Sequence, residues 1–502
     1  MMGIFEIFFS FILGVLAIRT FFWHLQNWQL REYRTDRMKA RLKTVEGRWE
    51  IFSIWVFPGI FPRPKRSFRI LLICTIFLFL NTFLFFIKTP HLSGIYWFFQ
   101  ESRFPLFFPL LIFERLIWLT VFVSVKLSEI PVKIRTKKLF KSTKKLLKRT
   151  PPNLVKIAIG GSYGKSSTKE ILVHLLTQHF GAESVLYNPA NQNNEIAIAR
   201  MLQKNKRFLT TRTKKKKFVI IETGAYKRGE LAQVCDFFQP DVSILTAIGN
   251  QHLDLFGSQR NIQLGKFELA QGAHKTVYFN ADNHLLEEIF NSSTIEATPI
   301  AVSQAKAEKI RSYENRTTFK LYGEHFVLPW PGKFFVQNAL LGLECAKEQG
   351  IPAKKLAQYL HTIPSLKRAL NKTTHPQQQY TLYQDLYSAN AQGVLSAIQH
   401  LQKSNGRRIF VSQPLLELGS DAQTSHQQIF EALKECDAEV YWLKDDFKKL
   451  GKQIIGPNFF ALNPRQNTTI QILKILKKTL EKNDHVLIEG KIPKTIKQIF
   501  TT

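Results

Sequence analysis

Cysteine is scarce: Cys74, Cys235, Cys345 and Cys436 are the four in a chain of 502 residues. They lie far apart and none forms a C-x-x-C pair. That argues against a disulfide framework or a structural zinc site, and suits a reducing compartment for the soluble part. Acidic residues are also few, 38 against 70 Lys and Arg, for a formal net charge of +32. An excess of that size fits an anionic partner: membrane lipid, nucleic acid or a phosphorylated substrate. The chain has room for several domains of about 100–200 residues. Its Phe and Trp are unevenly spread, most of them falling before residue 125.

Three apolar stretches, 3–23, 68–87 and 104–125, each approach the ~20 residues that cross ~30 Å of hydrocarbon. The first lacks a basic start and a small-residue cleavage site, so it is expected as a retained helix rather than a signal peptide. Residues 24–66 are crowded with Arg and Lys, 89–103 carries only Arg103, and the chain turns basic again after Lys126. By the positive-inside rule this predicts a multi-pass protein of the inner (cytoplasmic) membrane, with everything after residue 126 in the cytoplasm. Buried core helices are the alternative. Glu114 and Arg115 inside the third stretch would pair, or mark a lipid-substrate path. Segment 133–149, "KIRTKKLFKSTKKLLKR", is expected to lie on anionic membrane lipid in preference to nucleic acid. "RTKKKK" (212–217) lacks interleaved aromatics, and no nucleic-acid partner is expected.

From Leu154 the pattern changes. "IAIGGSYGKSSTKE" (157–170) runs from a strand through glycines into a helix with Ile171, Leu172, Leu175 and Leu176 on one face. Glycines there let backbone N–H groups approach oxyanions at a helix N-terminus. Lys165 suits terminal phosphates and Ser166 suits Mg2+. The spacing is shorter than G-x-x-x-x-G-K-[ST], which would need glycine at Ile159. "KFVIIETGA" (217–225) is a strand ending in Glu222, and "VSILTAIGNQHLDLFGS" (242–258) is a strand followed by a loop with His252 and Asp254. These residues share an expected crevice at the carboxyl ends of parallel strands.

The run "GGSYGKSSTKE" resembles the phosphate loop of the Mur ligase family, ATP-dependent amide-forming enzymes of peptidoglycan precursor synthesis. The MurF type, which adds D-Ala-D-Ala, is the nearest in pattern. "NPANQNNEIAIARML" (188–202), "ETGAYKRGEL" (222–231), "GKFELA" (265–270), "FNADN" (279–283), "GKFFVQNALLGLECA" (332–346), "DLYSANAQGVLSAI" (385–398) and "LLELGSDAQTSHQQIF" (415–430) follow in that type's order. Pro414, Phe334–Phe335 and Ser388 depart from its pattern, and its UDP-binding N-terminal domain has no visible counterpart.

An α/β chain of four parts is expected: hydropathy and charge give a three-helix membrane region (1–126) and a basic juxtamembrane linker (127–153), and the resemblance implies a central P-loop Mur-ligase ATPase domain (154–367) and a C-terminal Rossmann-like domain (368–502). Strands at "RRIFVS", "AEVYWL" and "HVLIE" alternating with helical stretches near 391–403, 422–435 and 469–482 support the last independently. ATP and Mg2+ are the implied cofactors. Gly161, Ser162, Gly164, Lys165, Ser166 and Ser167 would hold phosphates, with Asn280, Arg368 and Asp385 on the nucleotide. Ser166, Glu222, His252 and Lys266 would hold metal, Lys266 standing at the place of the family's carbamylated lysine. Lys165, Glu222, His252 and Lys266 form the implied catalytic set. The expected partners are a peptidoglycan-precursor peptide, UDP- or lipid-linked, and an amino acid or dipeptide, acted on by a monomeric enzyme. A membrane-anchored nucleotide-binding scaffold and a family cousin ligating glutamate or other amino acids are the alternatives.

Overall fold

The computed structural model describes residues 4–43, 64–65, 67–88, 107–189, 192–249, 253–313, 315–364, 371–385, 391–402, 404–415, 422–463, 467–490 and 492–501. The chain divides into two compact units, Met1–Ser142 and Thr143–Thr502.

The first unit is helical: Ile4–Leu30, Thr35–Lys43, Phe68–Lys88 and, up to Ser142, the long helix Phe107–Leu147. Phe21, Leu25, Trp28, Ile73, Ile117, Val121 and Val125 pack into one cluster. Polar groups are buried along the same helices, among them Thr20, His24, Asn27, Ser124 and Ser128. Arg69 donates to the Ser128 hydroxyl at 3.3 Å and lies over the Tyr33 ring. These contacts correct the membrane reading. Among the described residues no helix is long and apolar enough to cross a membrane, so the three-helix membrane region and the multi-pass inner-membrane location are overturned. The apolar residues that suggested spans are interleaved with polar ones, and those described near the helix crossings serve a helix–helix core. The side chains of Glu114 and Arg115 lie outside the described residues.

The second unit contains two parallel sheets. The first is built from β1 (Leu154–Gly160), β2 (Val185–Tyr187), β3 (Lys217–Glu222), β4 (Val242–Leu245), β5 (Thr276–Asn280) and β6 (Thr298–Val302), in the order β2-β3-β1-β4-β5-β6. Every neighbouring pair in it is parallel. Strands covered on both faces read as continuous apolar runs, which is why β1, β3 and β4 carry so little alternation. Ile171, Leu172, Leu175 and Leu176 are fully buried on the helix Lys165–Phe180, as their spacing predicts. Each buried side chain of this kind stabilises by about 2 kcal/mol. The chain passes from β3 on one side of β1 to β4 on the other. That reversal leaves a crevice outside the carboxyl end of β1, where such sheets bind ligands.

A three-stranded antiparallel sheet follows, β7 (Glu308–Ser312), β8 (Thr317–Leu321) and β9 (Glu324–Leu328). The last sheet is formed by β10 (Asn371–Thr374), β11 (Thr381–Asp385), β12 (Arg408–Ser412), β13 (Glu439–Trp442), β14 (Phe459–Ala461) and β15 (His485–Glu489), ordered β10-β11-β15-β12-β13-β14. Only the β10–β11 pair is antiparallel. Helices Ala391–Gln402, Ala422–Glu435 and Asn467–Lys478 alternate with these strands, near the places expected.

Candidate active site

The loop after β1 is shaped by two glycines. Gly161 has φ +142° and Gly164 φ +82°, and the helix begins at Lys165. A Cβ on Gly161 would lie 2.3 Å from the Thr246 hydroxyl oxygen, and one on Gly164 2.5 Å from Asn338 Oδ1. Neither position has room for a side chain, and both have the positive φ that favours glycine. The loop is tied to the segment after β4: the Ser162 N–H donates to the Ala247 carbonyl at 2.7 Å, and the Gly249 N–H to the Ser162 hydroxyl at 3.1 Å. The Thr246 hydroxyl bridges the carbonyls of Gly160 and Tyr163.

Lys165 folds back on this loop. Its Nζ donates to the carbonyls of Gly161 at 2.9 Å and Ser162 at 2.7 Å. Burial lowers its pKa, against the pull of Glu222. The Ser166 hydroxyl stands 3.0 Å from both oxygens of Glu222, which closes β3 and is almost fully buried. Burial alone would raise the Glu222 carboxyl, but Lys169, Lys165 and the Ser166 hydroxyl outweigh it and hold the group below the usual range. Lys169 Nζ lies 2.9 Å from Glu222 Oε2 and donates to the Asn188 carbonyl at 3.2 Å. Asn188 in turn clasps the Glu222 backbone, accepting its N–H at 2.8 Å and donating to its carbonyl at 2.9 Å. Ser167 is half-buried beside them at the helix start.

Lys266, on the helix Gln259–Gln271, is buried and donates to the Ala225 carbonyl at 2.9 Å. Its pKa falls to about 7, chiefly from burial and further from the charge of Lys165, with Glu230 and Glu268 opposing. Lys165, Ser166, Glu222 and Lys266 therefore act on one electrostatic neighbourhood. His252 and Arg368 lie outside the described residues, as do the side chains of Asp254 and Asp385. Asp385 is the last residue of β11, in register with Glu489. Asn280 ends β5 and accepts the Asp282 N–H at 2.9 Å, closing its own turn. Hard oxygen donors at Ser166 and Glu222 suit Mg2+, which is held by one or two carboxylates together with substrate phosphates rather than by a full protein cage. Among the described residues no three His, Cys, Asp or Glu side chains converge on a metal position.

Residues 159–346 match the Mur ligase middle domain. The chain is 27% identical over 289 residues to the UDP-N-acetylmuramoyl-tripeptide--D-alanyl-D-alanine ligase of Escherichia coli, a match covering 55% of this chain and 62% of that protein. It is 26% identical to the Haemophilus influenzae ligase of the same name over 355 residues, 68% of this chain and 74% of that one. The chain thus spans about three fifths of the length of the E. coli relative. Among solved structures, MurF from Acinetobacter baumannii shares the fold with a TM-score of 0.63 at 21% identity, over 73% of this chain and 80% of that one. MurF ligase from Thermotoga maritima in complex with ADP gives 0.59 at 20% identity, over 73% and 83%.

Within residues 159–346, several residues of the site escaped the sequence reading. Lys169 was among them, although it follows Lys165 and Ser166 by one helical turn and so shares their face. Asn283 is another. It spans to Ile248, accepting its N–H at 3.1 Å and donating to its carbonyl at 3.0 Å, and it also meets the Tyr163 hydroxyl. The Asn283 and Thr246 contacts join segments far apart in the chain, which residue spacing does not reveal. On the helix Ala422–Glu435, His426 is fully buried, accepts the Leu415 N–H at 3.0 Å and stacks on Phe447. Burial lowers its pKa, which makes it a neutral packing group.

Proposed function

We propose that this chain is an ATP-dependent ligase of MurF type, joining the carboxylate of a peptidoglycan-precursor peptide to the amine of D-Ala-D-Ala. The observation that carries this reading is the convergence of Lys165, Ser166 and Glu222 at the carboxyl ends of β1 and β3, within a Mur ligase middle domain. A carboxylate is a poor acylating agent at neutral pH. Its oxygen attacks the γ-phosphorus of ATP, ADP leaves, and an acyl phosphate results. The amine nitrogen then attacks the acyl carbon and phosphate departs, leaving the amide. The protein's work is to position these groups and neutralise their charge.

Lys165 and the N–H groups of 161–167 hold the outer phosphates. Ser166 and Glu222 would hold Mg2+, with His252 as a further ligand by resemblance; the metal would supply charge neutralisation of the phosphates. Lys266, with its amine lowered to about 7, is substantially neutral near physiological pH. A neutral amine is the form that adds CO2, which suits Lys266 to carbamylation; labelled bicarbonate is then expected to yield a carbamate carbon signal that Lys266→Met lacks. Asn280, Arg368 and Asp385 would contact the nucleotide, as the resemblance implies.

The test is phosphate release. Purified chain given ATP and Mg2+ should release phosphate only when UDP-linked tripeptide and D-Ala-D-Ala are both present. Release that ignores either substrate, or none at all, overturns the ligase assignment; nucleotide binding without turnover would mark a scaffold. The glycine geometry supplies a second expectation. Gly164→Ala places a methyl against Asn338 in left-handed backbone and should weaken ATP binding about tenfold or more, read by calorimetry. Unchanged affinity would mean that the phosphates lie elsewhere.

A further inference from the structure

Lys169 carries a charge that the proposed reaction does not use. Its ammonium and the Glu222 carboxylate are 2.9 Å apart, and each side chain is only 4% exposed. The other carboxylate oxygen, Oε1, meets the Ser166 hydroxyl at 3.0 Å and the Asn193 amide at 3.4 Å. Lys165 is turned elsewhere, toward the Gly161 and Ser162 carbonyls. Lys169 is therefore the cation in direct contact with Glu222 among the described residues. An ionised carboxylate this deep is costly without a partner.

We propose that Lys169 is the resident counter-ion of Glu222: it stands in for a metal while the nucleotide site is empty, and its charge keeps a divalent cation off the carboxylate until phosphates arrive. The inference rests on Glu222 as a metal ligand, as proposed above. A carboxylate in contact with an ammonium presents almost no net charge to an approaching ion. Attraction to Oε1 is then offset by repulsion from Lys169 at a similar range. Phosphate oxygens restore the missing negative charge, so metal and nucleotide bind together. Meanwhile the second bond of Lys169, to the Asn188 carbonyl, keeps Glu222 and the segment beginning at Asn188 in register. Lys169 acts through Glu222 and is a positioning residue.

The readout is thermal melting of the full chain without nucleotide, in EDTA or in about 10 mM MgCl2. Wild type should shift by about 1 °C or less. Lys169→Met should melt lower in EDTA and recover about 3 °C with MgCl2, because the metal now supplies the lost charge. The double variant K169M/E222Q should lose that response. Should Lys169→Met fail to fold, Lys169→Gln, which keeps a donor without the charge, is expected to respond to MgCl2 as Lys169→Met would. Equal shifts in wild type and the single variant, or a response that survives in the double variant, would overturn the counter-ion role. A separate arm with ADP and MgCl2 on wild type tests the nucleotide site itself: no shift there sinks the ligase reading, while the metal-only comparison still decides the role of Lys169.

Discussion

Lys165→Met should lower kcat/KM for ATP about a thousandfold while leaving the melting temperature within a few degrees of wild type. The ammonium sits on the loop itself, at the Gly161 and Ser162 carbonyls, where it can turn to the outer phosphates. Its bonds to the Gly161 and Ser162 carbonyls are two ties of the loop among several. Gly161 and Gly164 set the backbone, and the bonds from Ser162 and Thr246 to neighbouring segments hold its position. Removing a partly desolvated charge costs little in folding. Lys165→Arg should not restore activity, because a planar guanidinium is not a substitute for a compact ammonium in a tight loop. A variant that retained near-normal turnover would remove phosphate binding from this loop, and with it the ligase mechanism.

Lys266→Met should abolish ligation and yet raise stability at neutral pH. The folded pKa of about 7 lies below the 10.5 of an ordinary lysine. Between those values the unfolded chain binds more protons than the folded one. Unfolding free energy therefore rises with pH across that window, and below pH 7 the penalty is at full size. Replacing the buried amine with an apolar side chain removes the penalty, worth roughly 4 kcal/mol at pH 7, and forfeits about 1 kcal/mol for the bond to Ala225. The net gain should appear as a melting temperature higher by about 3 °C at pH 7, shrinking toward pH 10. Melts in bicarbonate-free buffer isolate this effect, since a carbamate would reverse the charge of the side chain. A gap between variant and wild type that does not change with pH would show that Lys266 is not held near neutrality by burial.

The two lysines also show what can be read along the chain. Lys165 was legible because its chemistry is local: strand, glycines, lysine and helix lie within a dozen or so residues, and the loop conformation follows from glycine at two positions. The parallel strands were legible too, since β1, β3, β4, β12, β13 and β15 are short apolar runs bounded by turns. Lys266 could be given a role only by resemblance. Its lowered pKa depends on burial and on the field of Lys165, a hundred residues away in the chain.

The first 142 residues mark the limit of hydropathy. Apolar runs and flanking charge predicted spans, because both signals count residues without asking what covers them. The structure pairs part of those runs with one another and buries Thr20, His24, Asn27 and Ser128 beside them. Lys169 shows the same limit on a smaller scale. Its helical phase with Ser166 was readable, but its partner, Glu222, arrives on another strand.

By itself the sequence determined the glycine-shaped loop after β1, the alternation of strands and helices, and the acid at the end of β3, because each follows from backbone sterics and apolar periodicity over a short stretch. Only the tertiary structure decided which charges meet. Ion pairing and desolvation act through space, and folding brings Lys169, Glu222, Asn188 and Lys266 to one place from four separate elements.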